Sequence, residues 1–178
     1  MKTLIVSLDE NLRLTGLQQV PDSALLLGGR PMFLQEDCIE AELDAMPAVR
    51  ICRLGLAIDR RFARRYYDAA TIVALRLPGG DLPVTDMDLV ADNALAVGAW
   101  LDVPEGEWLI GTPSGDTITA AQPAEAFDAA IAQVSQRTTF KTGDIVALRP
   151  FRSRATASID ERPAWTLQGR EALRFKIK

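Results

Sequence analysis

Lys2 to Leu8 is a run rich in Leu, Ile and Val, closed by Asp9-Glu10-Asn11, the pattern of a buried strand ended by a turn. Arg13 to Val20 is ambiguous between helix and strand. Pro21-Asp22-Ser23 begins a turn or helix cap, and Gly28-Gly29-Arg30-Pro31 turns between two short extended segments. Ala48 to Gly55 alternates apolar and basic residues, which suits a half-buried strand. Asp59 then caps an expected helix over Arg61 to Ala69. Phe62, Tyr66 and Ala69/Ala70 form its apolar face, opposite Arg60, Arg64 and Asp68, with Arg64 and Asp68 spaced to pair.

Thr71 to Leu77 reads as a strand cut by Pro78-Gly79-Gly80, and Thr85-Asp86-Met87-Asp88 as a capping box opening a short helix to about Asp92. Leu95 to Leu101 and Glu107 to Gly111 are expected strands, and Thr117 to Ala120 pairs with the latter as a hairpin. The clearest helix starts at Pro123, with Phe127, Ala130, Ile131 and Val134 at helical spacing up to Gln136. Ile145 to Leu148 is a strand, and Ala164 to Leu167 with Ala172 to Ile177 form a last hairpin around Gln168-Gly169-Arg170. No internal repeat, low-complexity tract or long linker interrupts the chain. The pattern predicts one strand-dominated α+β domain over residues 1–178, with 1–20 a short N-terminal segment.

Composition narrows the chemistry. The 178 residues include no histidine, which excludes Ser-His-Asp and Cys-His nucleophiles, His-ligated zinc and the commonest general base near neutral pH. A net charge of −4 argues against a general nucleic-acid partner despite the basic Arg60-Arg61-Phe62-Ala63-Arg64-Arg65. Cys38 and Cys52 lack a basic partner at fixed spacing and read as buried thiols in a reducing compartment. The first apolar run is too short for a signal sequence or a membrane span, so the expectation is a cytoplasmic protein with no membrane partner. Gly111-Thr112-Pro113-Ser114-Gly115 reads as a hairpin turn rather than a phosphate loop, because no Lys follows. Trp100, Trp108 and Trp165 are scattered, as core or interface residues are.

Six stretches in order carry a family likeness: Pro21 to Leu26, Gly29 to Leu34, Val49 to Gly55, Arg61 to Asp68, Lys141 to Asp144, and Ala172 to Lys178. Together they resemble the fumarylacetoacetate hydrolase family, in its acylpyruvate hydrolase and hydroxyheptadienedioate isomerase-like branch. The most distinctive is Arg61-Phe62-Ala63-Arg64-Arg65-Tyr66-Tyr67-Asp68, where the related branch has His at the place of Arg64. The resemblance implies a mixed β-roll, a homodimer, and cleavage or isomerisation of small diketo or oxo-enol acids with Mg²⁺ or Mn²⁺. It also implies a Glu-x-Glu pair on one strand and an Asp on a later one as ligands, since hard cations prefer oxygen and residues i and i+2 share a strand face.

Carried over residue by residue, the implied pair falls on Glu42 and Asp44 when anchored on Ile39-Glu40. Anchored on Val49-Arg50-Ile51, it falls on Asp44 and Met46 instead. Pro47 argues against a central strand there, and Glu40, Glu42 and Asp44 otherwise read as solvated acids on a surface segment. The implied third ligand falls on Leu75, and the implied Lys near Leu89. The Thr-Gly-Thr trio that binds substrate in the family is Ala147-Leu148-Arg149 here. The segment before Pro21 and the stretch after Leu77 are short against the family.

These departures predict a family-like fold with a decayed active site: no catalytic, cofactor-binding or metal-binding residue retained, and Glu42 and Asp44 as vestiges. The role expected is structural, dimerising or binding of a small acidic metabolite, alone or as one subunit of a heteromer. The competing expectation is an active hydrolase or isomerase of diketo or oxo-enol acids. It would hold Mg²⁺ or Mn²⁺ on Glu42, Asp44 and a substitute acid such as Asp81 or Asp86.

Overall fold

The computed structural model describes residues 1–34, 38–79 and 82–178. Thirteen strands are present among them: β1 (Lys2–Leu8), β2 (Leu14–Pro21), β3 (Leu25–Leu26), β4 (Glu40–Ile51), β5 (Tyr67–Arg76), β6 (Leu95–Val97) and β7 (Leu101–Asp102) in the first half. The second half adds β8 (Trp108–Gly111), β9 (Thr117–Ala120), β10 (Ile145–Leu148), β11 (Ser153–Ser158), β12 (Ala164–Leu167) and β13 (Arg170–Arg174). Two α-helices, α1 (Asp86–Val90) and α2 (Pro123–Val134), complete a strand-dominated α+β architecture. None of the described helices is long and apolar enough to cross a membrane.

The main sheet runs β2-β1-β10-β4-β5-β6-β3, with β11 also on β4 and β7 on β5. A second sheet runs β13-β12-β8-β9. Strand β1 pairs in parallel with β10, although they are far apart in sequence. Asp144, just before β10, fastens that join: its buried carboxylate accepts from the Lys2 N–H at 3.0 Å, Lys2 Nζ at 2.8 Å and the Lys141 N–H at 2.8 Å. The Lys-Thr-Gly-Asp stretch picked out in the sequence is therefore a structural clamp.

Side-chain alternation splits the core in two. Leu43, Ala45, Val49 and Ile51 of β4 face the larger core, which includes Tyr67, Trp108, Phe127 and Trp165. Phe127 of α2 sits 5.3 Å from the Trp108 ring and 6.0 Å from Tyr67. Met46 and Ala48 face the smaller core with Val73, Leu75, Leu89 and Ala147. Helix α2 buries Phe127, Ala130, Ile131 and Val134, as their spacing predicts.

Several local expectations change. The segment after Asp59 is a 3-10 helix, Arg60–Tyr66, and β5 already begins at Tyr67. Asp59 caps it through the Arg61 N–H, but the buried residue is Ala63, while Phe62 is exposed. The β-branched run Thr71-Ile72-Val73 propagates strand backwards through Asp68, which then pairs with Arg50 across the sheet at 3.1 Å rather than with Arg64. Cys38 is exposed and Cys52 only half-buried, so neither is a buried thiol. Arg13 to Val20, ambiguous in the sequence, forms the edge strand β2, and β11 has no counterpart in the sequence reading.

Pro47 does not break β4. The β10 ladder reaches only Ala48↔Ala147 and the β11 ladder starts at Ala45↔Ser153. Ile51 donates its N–H towards β10, and strand alternation points Pro47 the same way, into the gap between the two partners. No ladder hydrogen bond is lost there, so a proline fits inside a central strand.

Candidate functional site

The site is built on β4 and its two neighbours. Glu40, Glu42, Asp44 and Met46 alternate along β4 and share one face. Directly opposite Asp44 stand Leu75 on β5 and Arg154 on β11. Both ways of placing the family's acidic pair thus include Asp44, and Leu75, at the implied third position, is its immediate neighbour. Asp44 is fully buried. The reading of all three acids as solvated surface residues is wrong for Asp44, whose carboxylate is buried against Arg149 and Arg152; Glu40 is exposed and Glu42 half-buried.

Asp44 is surrounded by guanidinium groups. Its Oδ2 lies 3.4 Å from Arg149 Nη1 and 3.6 Å from Arg152 Nη1. Arg149 Nη2 donates to Gln18 Oε1 at 2.6 Å, so the side chain is held from both ends. The other oxygen, Asp44 Oδ1, is buried and has no hydrogen-bond partner among the described residues. Burial pushes the Asp44 carboxyl above its usual range, against the opposing pull of Arg149, Arg152 and Arg154. Burial likewise pushes Arg149 down. Both shifts have one cause, loss of water around two charges.

Leu89, Ala147 and Leu148 are buried core residues. Asp86 is exposed at the start of α1, and Asp81 lies outside the described residues. The turn at α1 does form as expected: Asp88 accepts from the Thr85 N–H and hydroxyl, both at 2.7 Å. Arg64, in the family's His position, donates to the Tyr67 carbonyl at 3.0 Å and lies over the Tyr67 ring at 4.7 Å. Gly111 to Gly115 belongs to the β8–β9 hairpin. Trp108 and Trp165 are core residues, while Trp100 is half-buried beside Arg50. Among the described residues no three His, Cys, Asp or Glu side chains come together as a metal-ligating group.

Gln18, Arg152 and Arg154 were not singled out by the sequence, and Arg149 appeared there only as part of a lost motif. One signal was present: Arg149, Arg152 and Arg154 fall within six residues of an acidic chain. Nothing local says that they converge on a carboxylate about a hundred residues earlier.

No family model and no curated protein matches the sequence. Solved structures do resemble it across 99% of its length. A protein from Yersinia pestis CO92 assigned to the fumarylacetoacetate hydrolase family superposes with a TM-score of 0.73 at 14% identity, over 93% of that chain. The 2-hydroxyhepta-2,4-diene-1,7-dioate isomerase of Mycobacterium marinum gives 0.75 at 15%, over 73% of that chain. The fumarylpyruvate hydrolase of Pseudomonas aeruginosa, solved with Mn²⁺ and pyruvate, gives 0.69 at 9%, over 89% of that chain. The chain has the fumarylacetoacetate hydrolase-like fold that its sequence resemblance implies.

Proposed function

We propose that this fumarylacetoacetate hydrolase-like chain is non-catalytic, and that its former active site, closed by arginine, serves a structural or small-acid-binding role. The observation that carries the reading is the Asp44 carboxylate, ion-paired to Arg149 and Arg152 with Leu75 across the strand. A divalent cation of the hard type needs several oxygen ligands and repels guanidinium groups placed on the same carboxylate. Leu75 supplies no oxygen. The residues present do not fit a Mg²⁺ or Mn²⁺ ion at Asp44 Oδ2. The positive charge that a metal would bring is already supplied by Arg149, whose guanidinium stays protonated in proteins.

The competing reading is a metal-dependent hydrolase or isomerase of diketo or oxo-enol acids using Glu42 and Asp44. It is favoured by one observation, the unpartnered buried Oδ1 of Asp44, an atom that could take a cation. Titration calorimetry of the full chain with MgCl₂ and MnCl₂ decides between them. The expected result is no binding tighter than about millimolar, a dissociation free energy near 4 kcal/mol. Tighter binding that disappears in the Glu42→Gln/Asp44→Asn double variant, with the variant's fold checked by circular dichroism, would establish the enzyme reading instead.

A further inference from the structure

Next to the Asp44 ion pairs lies a cleft of about 300 Å³. One end carries Gln18, Arg149 and Arg154, and the wall is Leu77, Leu82, Pro83 and Val84. We propose that this cleft binds a small monocarboxylic acid without any metal ion, the carboxylate on the two guanidinium groups and the chain along the apolar wall. The inference rests on the non-catalytic reading above and gives its small-acid role a location and a ligand chemistry.

Arg149 presents five N–H donors in a rigid fork. One faces Asp44 and another Gln18, which fixes the plane of the group and leaves further donors for a ligand. Such pre-positioning lowers the ordering cost of binding. Arg154, cross-strand from Asp44, is exposed, and no salt bridge or side-chain hydrogen bond occupies its guanidinium among the described residues. Gln18, Arg149 and Arg154 are the polar side chains of the cleft, and no carboxylate lines it among the described residues, so its charge suits an anion. A planar carboxylate matches the guanidinium fork. Leu77, Leu82, Pro83 and Val84 stand beside the guanidinium groups, where the hydrocarbon part of an acid would run. The volume is at the small end for organic ligands.

The probe is sodium hexanoate, titrated into the full chain in EDTA, with inorganic phosphate and 1-hexanol in parallel. Hexanoate is expected to bind more tightly than either control, and Arg154→Gln to weaken it about tenfold, the loss of one charged hydrogen bond. Leu82→Ser, at an exposed wall position, should weaken hexanoate but leave acetate unchanged. The proposal is overturned if hexanoate does not bind, if phosphate binds equally well, or if Arg154→Gln has no effect. Hexanoate binding that appears only when MnCl₂ replaces EDTA overturns the non-catalytic reading too. Absence of hexanoate binding under both conditions overturns the proposed cleft and leaves the non-catalytic reading to the metal titration above.

Discussion

Asp144 and Asp44 are both buried aspartates beside cations, yet their surroundings act on them in opposite directions. Burial pushes the Asp144 carboxyl up, but hydrogen bonds from Lys2 Nζ, the Lys141 N–H and the Lys2 N–H outweigh it and hold the group below its usual range. Asp44 has two longer contacts and an orphaned oxygen, so burial prevails and the group is raised. A depressed carboxylate contributes stability above its unfolded pKa of about 3.9 and loses it as pH falls through the folded value. Asp144→Asn should therefore cost about 3 kcal/mol at pH 7, the scale for breaking a buried ion pair. Urea unfolding of the variant and the parent should converge as pH drops below about 4. A deficit that stays constant down to pH 3 would show that Asp144 acts through packing rather than charge.

At the scale of elements, two positions show how neighbours decide what the backbone in and beside a strand tolerates. Pro47 lies inside β4, but in the gap between β10 and β11. Pro47→Ala creates a buried N–H that no ladder accepts and loosens the unfolded chain, so it should cost about 2 kcal/mol. Gly98 is the opposite case. A Cβ there would press into the Ala172 carbonyl oxygen, where the main sheet and β13 meet through the Ala99 N–H to Ala172 carbonyl bond at 2.7 Å. Gly98→Ala should lose about 3 kcal/mol, since backbone cannot yield as a flexible side chain can. Chemical denaturation of the two variants side by side tests the ranking; a reversed order would refute the strand-gap account of Pro47.

For the whole molecule, the family resemblance carries an expected homodimer, which we retain as a proposal. Sedimentation velocity at micromolar concentration should give a particle of twice the chain mass, and a monomer there would count against it. The shape of the fold follows from how few of its joins are local. Hairpins β8–β9 and β12–β13 close over short turns, whereas β1–β10, β4–β10 and β4–β11 bring together segments about a hundred residues or more apart.

This division explains what could be read from the sequence and what could not. Strand β1, strand β10, the two hairpins and helix α2 were legible because their apolar spacing and turn residues act over a few neighbours. The lack of histidine fixed which reaction types were open, and the resemblance pointed to Glu42, Asp44 and Leu75. Whether those positions met was a matter of register. Only the pairing of β4 with β5 sets Leu75 against Asp44, and only the pairing of β4 with β11 sets Arg154 against it. The turn between β10 and β11 then brings Arg149 and Arg152 onto it. A charge on a strand can be counted in the sequence; which charge it faces, and how much water lies between them, depends on long-range pairing that no local pattern encodes.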